Sequence, residues 1–115
     1  MAETTTSSVA PTDEAASAAC APQLPQAAQD FLKALSNPGR QQIMLLFAQG
    51  SELSVNQVAE RAGISQSAAS QQLALLRRGG IVTSRRDGKE VLYRGDRDGV
   101  ARILGDLQNY LNFCC

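Results

Sequence analysis

Hydroxyl and amide side chains crowd the stretch from position 65 to position 71, where an ordinary solvated helix carries glutamate and lysine. The apolar residues Ala69, Leu73 and Leu76 recur at helical spacing and predict an inward face. The side chains left to point outward are Ser65, Gln66, Ser67, Ser70 and Gln71. Amides can bond adenine edges bidentately, and serines can bond bases or phosphates. The spacing predicts a helix surface that suits DNA, the alternative being side chains that only face solvent.

Positive charge is concentrated in the second half of the chain, although the net charge of the whole chain is zero. From Arg61 to Arg102 there are nine basic residues and four acidic ones. The cations expected to meet phosphates or the minor groove are Arg77, Arg85, Arg86 and Lys89. Arg77 could instead complement the dipole of the helix that it helps to end. This polarised charge favours a nucleic-acid partner.

The chain has no histidine and three cysteines. The lack of histidine excludes Ser-His and Cys-His catalysis and zinc sites built with imidazole, and no enzyme signature is found. The cysteines are Cys20, Cys114 and Cys115. Thiolates are soft ligands that suit copper(I), zinc and, by the same logic, trivalent arsenic or antimony. With a third sulfur, the adjacent pair could complete a pyramidal three-sulfur site.

Two other interpretations of these cysteines stay open. The thiols could be oxidised or persulfidated, with Cys20 paired to a terminal cysteine. They could also be small, partly buried thiols at a frayed terminus. A disulfide between Cys114 and Cys115 is not expected, because vicinal geometry is strained. The odd count and the adjacent pair argue against a secreted disulfide framework, so we expect a reducing cytoplasm.

Two short helices joined by a tight turn are predicted to carry the polar surface. Ser54 opens the first helix, and Gln57 stands three residues later, which is capping-box spacing. Gly63 is placed to end that helix in a left-handed conformation, and Ser65 can cap the next helix. This order of signals is typical of a helix-turn-helix.

A basic hairpin is predicted to follow the second helix. Gly79 and Gly80 stop the helix, and residues 81–83 and 91–93 have strand character. Asp87 and Gly88 form a dipeptide that favours a two-residue type I′ turn. The predicted fold is therefore mainly α with a small β-hairpin, which is a winged helix-turn-helix.

The flanking segments complete the predicted organisation. Residues 1–22 offer almost nothing to bury and lack the features of a signal peptide, so we expect a disordered arm before a single domain at 23–115. A first helix is predicted at 24–36 with Ala28, Phe31, Leu32 and Leu35 inward, and a second from Asn37–Pro38 to Gly50. A last helix carries an apolar stripe at Val100, Leu104, Leu107 and Leu111, more than one small domain readily covers. No apolar run approaches the length that crosses a membrane.

The chain resembles the ArsR/SmtB family of bacterial repressors over about Leu24 to Leu111. The resemblance is carried by segments 32–40, 52–59, 65–76, 80–82 and 85–94. It implies a homodimer formed through the first and last helices and an inverted-repeat DNA target. This sequence departs from the family at Gln72, where many members carry histidine, and at Ser54 and Asn56, where arsenic-sensing members often carry a cysteine pair.

The ending of the chain, residues 109–115, is similar to that of arsenic-sensing members with vicinal cysteines at the end of the last helix. Such members add a third cysteine downstream, a role for which Cys20 is the candidate here. The hypothesis is a repressor that binds operator DNA without a cofactor and is released by arsenite or antimonite. The alternative inducer is an oxidant or a sulfide-derived species. A winged helix could also serve only to bind an acidic protein.

Overall fold

The computed structural model describes residues 23–115, so the predicted arm at 1–22 and Cys20 lie outside the described residues. Five helices, a short 3-10 turn at Ala48–Gly50 and three strands follow one another within this described range. The helices and strands, in chain order, are α1 (Gln26–Leu35), α2 (Pro38–Leu45), β1 (Leu53–Ser54), α3 (Val55–Ala62), α4 (Gln66–Arg78), β2 (Val82–Asp87), β3 (Glu90–Gly95) and α5 (Arg97–Cys114). The fold is mainly helical with a small antiparallel sheet, as predicted.

Local capping bonds set the two helices of the helix-turn-helix, α3 and α4. The Ser54 hydroxyl accepts a hydrogen bond from the backbone N–H of Gln57, and the Gln57 side chain accepts one from the backbone N–H of Ser54. Gly63 ends α3 with φ 70°, a conformation that costs glycine little. The Ser65 hydroxyl accepts from the backbone N–H of Ala68 at 3.0 Å and so caps α4. These three predictions are confirmed.

The wing is part of a three-stranded sheet with strand order β1-β3-β2. Asp87 pairs with Glu90, so the two loop residues are Gly88 and Lys89, one position later than predicted. Only Gly88 of the two has a positive φ, 65°, so the predicted type I′ turn is wrong. A left-handed residue at the first loop position alone fits type II′, which places Lys89 at the tip of the wing.

The core lies between α1, α3, α4, the start of β2 and one turn of α5. The buried apolar residues are Ala28, Phe31, Ala34, Ile43, Phe47, Leu53, Val58, Ala59, Ala69, Leu73, Leu76, Ile81, Val82 and Ile103. The inward face predicted for α4 is confirmed, since Leu73 and Leu76 are fully buried. Two details were wrong: Leu32 is exposed, with Ala34 buried instead, and α2 ends at Leu45 rather than near Gly50.

An apolar surface is left uncovered along α1 and α5. Its most exposed members are Leu32 on α1 and Leu104, Leu111 and Phe113 on α5, with fractional exposures of 42%, 51%, 54% and 63%. Within residues 23–115, no helix is both long enough and apolar enough to cross a bilayer.

Candidate nucleic-acid interface

The polar side chains predicted to face outward from α4 do so. Ser65, at the cap, and Gln66, Ser67, Ser70 and Gln71, on the helix, are all exposed. The opposite side of the helix is buried through Leu73 and Leu76. Because side chains three and four positions apart share a helix face, Ser67, Ser70 and Gln71 form one contiguous patch of hydroxyls and an amide. The capping bond uses an acceptor site of Ser65 and leaves its O–H free to donate.

Gln66 is bonded across the turn of the helix-turn-helix. Its amide Nε2 donates to Oδ1 of Asn56, which lies on the first turn of α3. The bond fixes the amide plane of Gln66 and leaves its Oε1 free to accept. Asn56 had no predicted role in this surface, because the bond joins two helices and local sequence patterns do not report such pairs.

Gln72, the next residue after Gln71, is held from behind by Arg40. Nη1 of Arg40 donates to Oε1 of Gln72 at 3.0 Å. Gln72 is only half-exposed, and Arg40 is buried. The two neighbouring glutamines therefore have different surroundings: Gln71 faces solvent, and Gln72 faces the α1–α2 corner.

The three wing cations that were predicted to meet DNA fall into two groups. Arg85 makes a bidentate ion pair with Glu52, with Nε to Oε2 at 2.7 Å and Nη2 to Oε1 at 2.9 Å. Arg86 and Lys89 are exposed and make no ion pair with another residue of the described range. Arg86 and Lys89 are therefore the wing cations available to phosphate, and Arg85 must first leave Glu52.

The pKa of Glu52 lies below its ordinary value, mainly because its carboxylate accepts hydrogen bonds from Arg85 and also because the charges of Arg85 and Arg94 attract it. The pKa of Arg85 is raised by the same hydrogen bond and charge. The pair is therefore fully charged near neutral pH. Since Arg85 is exposed and Glu52 is partly exposed to water, the contribution of the pair to folding is small.

A shallow cleft of about 360 Å³ lies between α4 and the wing. It is lined by Ser70, Ala74, Arg77, Arg78 and Tyr93. Arg77 and Arg78 occupy the last turn of α4, where their charge also complements the helix dipole. Two guanidiniums and two hydroxyl-bearing side chains around one open cleft suit a phosphate. The cleft leads from the α4 patch toward β3.

The two terminal cysteines lie at the exposed end of α5. The structure brings Sγ of Cys114 and Sγ of Cys115 into contact, and the expectation that they form no disulfide stays a prediction. Adjacent positions at the fraying end of a helix allow the two sulfurs to approach. In the described part of the chain, no three Cys, Asp or Glu side chains come close enough to hold a metal ion.

Comparison with known proteins matches these features. Residues 37–84 fit the family described as bacterial regulatory protein, arsR family. A biofilm growth-associated repressor from Agrobacterium fabrum is 41% identical over 84 residues, which are 73% of this chain and 69% of that protein. The solved structures that superimpose on this chain include two with more than 30% sequence identity to it.

The first is the homodimeric winged helix-turn-helix DNA-binding domain of a possible ArsR-family regulator from Mycobacterium bovis. Its TM-score is 0.61 at 32% identity, covering 88% of this chain and 87% of that one. The second is reduced HlyU from Vibrio cholerae, with a TM-score of 0.56 at 37% identity, covering 74% of this chain and 90% of that one. The matched segment 37–84 holds both helices of the helix-turn-helix and the first three residues of β2. The chain therefore belongs to the arsR family of bacterial regulatory proteins and is a DNA-binding transcriptional regulator rather than an enzyme.

Proposed function

We propose that two copies of this chain form a dimer that represses transcription from an inverted-repeat operator and leaves the DNA when its cysteines bind a trivalent metalloid. No cofactor is needed for DNA binding in this proposal. The protein then acts in the bacterial cytoplasm, where operator DNA and reduced thiols are found together.

The observation that carries the DNA-binding part is the exposed hydroxyl and amide patch of α4 beside wing cations that make no ion pair within residues 23–115. Ser65, Gln66, Ser67, Ser70 and Gln71 enter the major groove and meet base edges or the nearest phosphates. Arg77, Arg86 and Lys89 contact phosphates, and Arg85 joins them once it releases Glu52. Phosphate contacts supply affinity, and the amides of α4 supply sequence preference.

The uncovered apolar surface on α1 and α5 supports the dimer. A small monomer rarely leaves several large apolar side chains of one surface in water. A two-fold dimer buries the same surface of both copies and fixes the distance between the two copies of α4. The Mycobacterium bovis domain of similar fold is homodimeric, which agrees with this assembly.

The inducer part of the proposal places As(III) or Sb(III) on Cys114 and Cys115, with Cys20 as the third sulfur from the same or the partner copy. Adjacent thiolates at an exposed helix end are accessible to a soft cation. Binding requires both cysteines in the reduced thiol form and would reshape the end of α5, where the dimer surface lies. A coupling of about 1–3 kcal/mol between ligand and DNA is typical of allostery and would relieve repression.

Oxidation is the second candidate signal, and the contact between the sulfurs of Cys114 and Cys115 favours it. Two thiols give one disulfide by losing two electrons and two protons to an oxidant such as a peroxide or a persulfide. The oxidised pair would alter the same end of α5. HlyU of Vibrio cholerae, whose fold is similar, has been solved in reduced form.

DNA binding is tested first, with the reduced full-length protein and inverted-repeat duplexes from its own promoter region. The salt dependence of the affinity should be steep, and Lys89→Ala should flatten the slope of log affinity against log salt by about 0.9 for one lost phosphate contact. Lys33→Ala, on α1, is the control and should leave the slope unchanged. An unaltered slope in Lys89→Ala would remove the wing tip from the interface.

The inducer is then tested by titrating the DNA complex with arsenite and, separately, with a thiol oxidant. Arsenite should release the DNA from the wild type, and Cys114→Ser and Cys115→Ser should each abolish the response. Cys20→Ser should weaken the response to arsenite if Cys20 is the third ligand. Release by the oxidant without release by arsenite would reject the metalloid and leave the redox candidate.

A further inference from the structure

Arg40 is the charged side chain with the least exposure among residues 23–115, at 9%. Two of its nitrogens donate to backbone carbonyls in the last turn of α1: Nε to O of Ala34 at 2.9 Å, and Nη2 to O of Lys33 at 3.0 Å. Carbonyls at a helix end lack partners within the helix and carry the negative end of its dipole. One part of the guanidinium therefore caps α1.

The remaining nitrogen of the guanidinium, Nη1, reaches α4. Nη1 donates to Oε1 of Gln72, which lies 32 positions further along the chain on α4. The Arg40 backbone N–H is itself held at the start of α2 by Oδ1 of Asn37 at 3.0 Å. One buried side chain thus joins the end of α1, the start of α2 and the middle of α4. Loss of the Gln72 oxygen would leave a charged donor unpaired away from water.

We propose that Arg40 and Gln72 are positioning residues that set the rotation of α4 about its axis relative to α1. Gln72 follows Gln71 directly, so the bond that fixes Gln72 also fixes the direction in which Gln71 and the serines of the patch point. Base-specific hydrogen bonds depend on that direction, whereas phosphate contacts by mobile arginines and lysines depend on it far less. The inference rests on the proposed function, because it assigns a cause to the sequence preference of that same surface.

A purely structural role for Arg40, as the cap of α1, can be separated from this one. Gln72→Leu removes the acceptor on α4 and leaves both bonds from Arg40 to α1 in place. Gln72→Glu keeps an acceptor in the same position. The matched control is Gln41→Leu, because Nε2 of Gln41 also caps α1, donating to O of Leu35 at 2.8 Å, and this bond does not involve α4.

The experiment measures the ratio of affinities for the inverted repeat and for a scrambled duplex of the same length, at one salt concentration, with the full-length reduced protein. Gln72→Leu should lower this ratio about tenfold, within the range by which residues that contact neither ligand modulate binding. Gln72→Glu and Gln41→Leu should keep the wild-type ratio. The ratio also cancels any general repulsion between the new carboxylate and DNA. Circular dichroism and sedimentation check fold and dimer, and Gln72→Met replaces Gln72→Leu if the leucine variant does not fold.

A wild-type ratio in Gln72→Leu would overturn the proposal. Equal losses in Gln72→Leu and Gln41→Leu would also overturn it, because loosening of α1 would then explain both. A loss in Gln72→Glu as large as that in Gln72→Leu would show that the acceptor is not what matters. If the wild type itself does not distinguish the two duplexes, the proposed function fails and this inference fails with it, which is a result distinct from the other three.

Discussion

At the scale of single residues, the three glutamines of α4 differ in what holds them. Gln66 is bonded to Asn56, Gln72 is bonded to Arg40, and Gln71 makes no side-chain hydrogen bond with another residue of the described range. An amide without a protein partner can offer both its donor and its acceptor to a base. Gln71 is therefore the side chain of α4 best placed for bidentate contact with adenine.

Gln71→Ala should lower the preference for the operator over scrambled DNA by about 1–3 kcal/mol, the discrimination that one bidentate base contact provides. The slope of affinity against salt should not change, because no phosphate contact is lost. Fluorescence anisotropy with both duplexes measures the two quantities together. Gln108→Ala on α5 is the control and should change neither the operator preference nor the salt slope. If Gln71→Ala lowers the affinity for both duplexes equally, Gln71 does not contact a base.

Glu52→Gln should strengthen DNA binding and steepen its salt dependence by about 0.9, because Arg85 becomes free to contact a phosphate. The hydrogen bond from Arg85 lowers the pKa of Glu52 in the folded protein. The ion pair therefore stabilises the fold fully at pH values above the ordinary pKa of a glutamate, and this stabilisation is lost as the pH falls through the lowered pKa. At neutral pH the wild type therefore holds Arg85 back. Glu60→Gln on α3 removes the same charge without freeing Arg85 and is the control. Equal gains in both variants would mean that net charge alone is responsible.

Whether a feature of a single residue could be predicted from the sequence depends on how far along the chain its contacts lie. Exposure of Ser67, Ser70 and Gln71 follows from helical period and was predictable. The pairs Arg40–Gln72 and Glu52–Arg85 were not, because they join residues more than 30 positions apart and depend on how the helices and the wing pack. Sequence patterns report faces, and they do not report which partner a face meets.

At the scale of elements, the helix-turn-helix is defined by local chemistry and the sheet is defined by pairing. The capping box at Ser54, the left-handed Gly63 and the cap at Ser65 each act within a few residues, so the sequence predicted them. Strand β1 has only two residues and forms because Leu53 pairs with Tyr93. The residues around Leu53 carry no local pattern that predicts this pairing. The loop of the wing lies one residue later than predicted for the same reason, since the register of β2 against β3 sets its position.

Ser54→Ala should lower the free energy of unfolding by about 1 kcal/mol, the usual cost of losing a helix cap, and more if the buried site leaves an N–H unpaired. Urea denaturation of the reduced protein measures this change in the free energy of unfolding. Ser67→Ala is the matched control, because an exposed serine inside a helix gains helix propensity when it becomes alanine. The two substitutions should therefore act in opposite directions, and a neutral Ser54→Ala would mean that α3 does not depend on its cap.

At the scale of the whole molecule, the apolar stripe predicted on the last helix is divided between two uses. Val100 and Leu107 are half-buried against the core of their own chain, whereas Leu104 and Leu111 remain exposed. Helical period predicted one stripe, but the division depends on how far α1 extends over α5. The exposed half, with Leu32 on α1, is the surface that a second copy would cover.

Leu104→Glu should convert the dimer to a monomer, because it places a charge in the middle of the proposed apolar interface. Sedimentation should show the halved mass, and operator affinity should fall steeply because one copy engages only one half-site. Leu45→Glu, an exposed leucine on α2, is the control and should remain dimeric. A Leu104→Glu protein that stays dimeric would move the interface elsewhere.

The most direct test of the DNA-binding surface is a hydroxyl-radical footprint of the reduced protein on its own promoter DNA, with and without competitor. We predict two protected half-sites of an inverted repeat, about one helical turn apart on one face of the duplex, and protection by Gln71→Ala that no longer prefers these half-sites over other sequences. Protection with no preferred sequence, or none at low salt, would contradict the assignment of α4 and the wing to DNA.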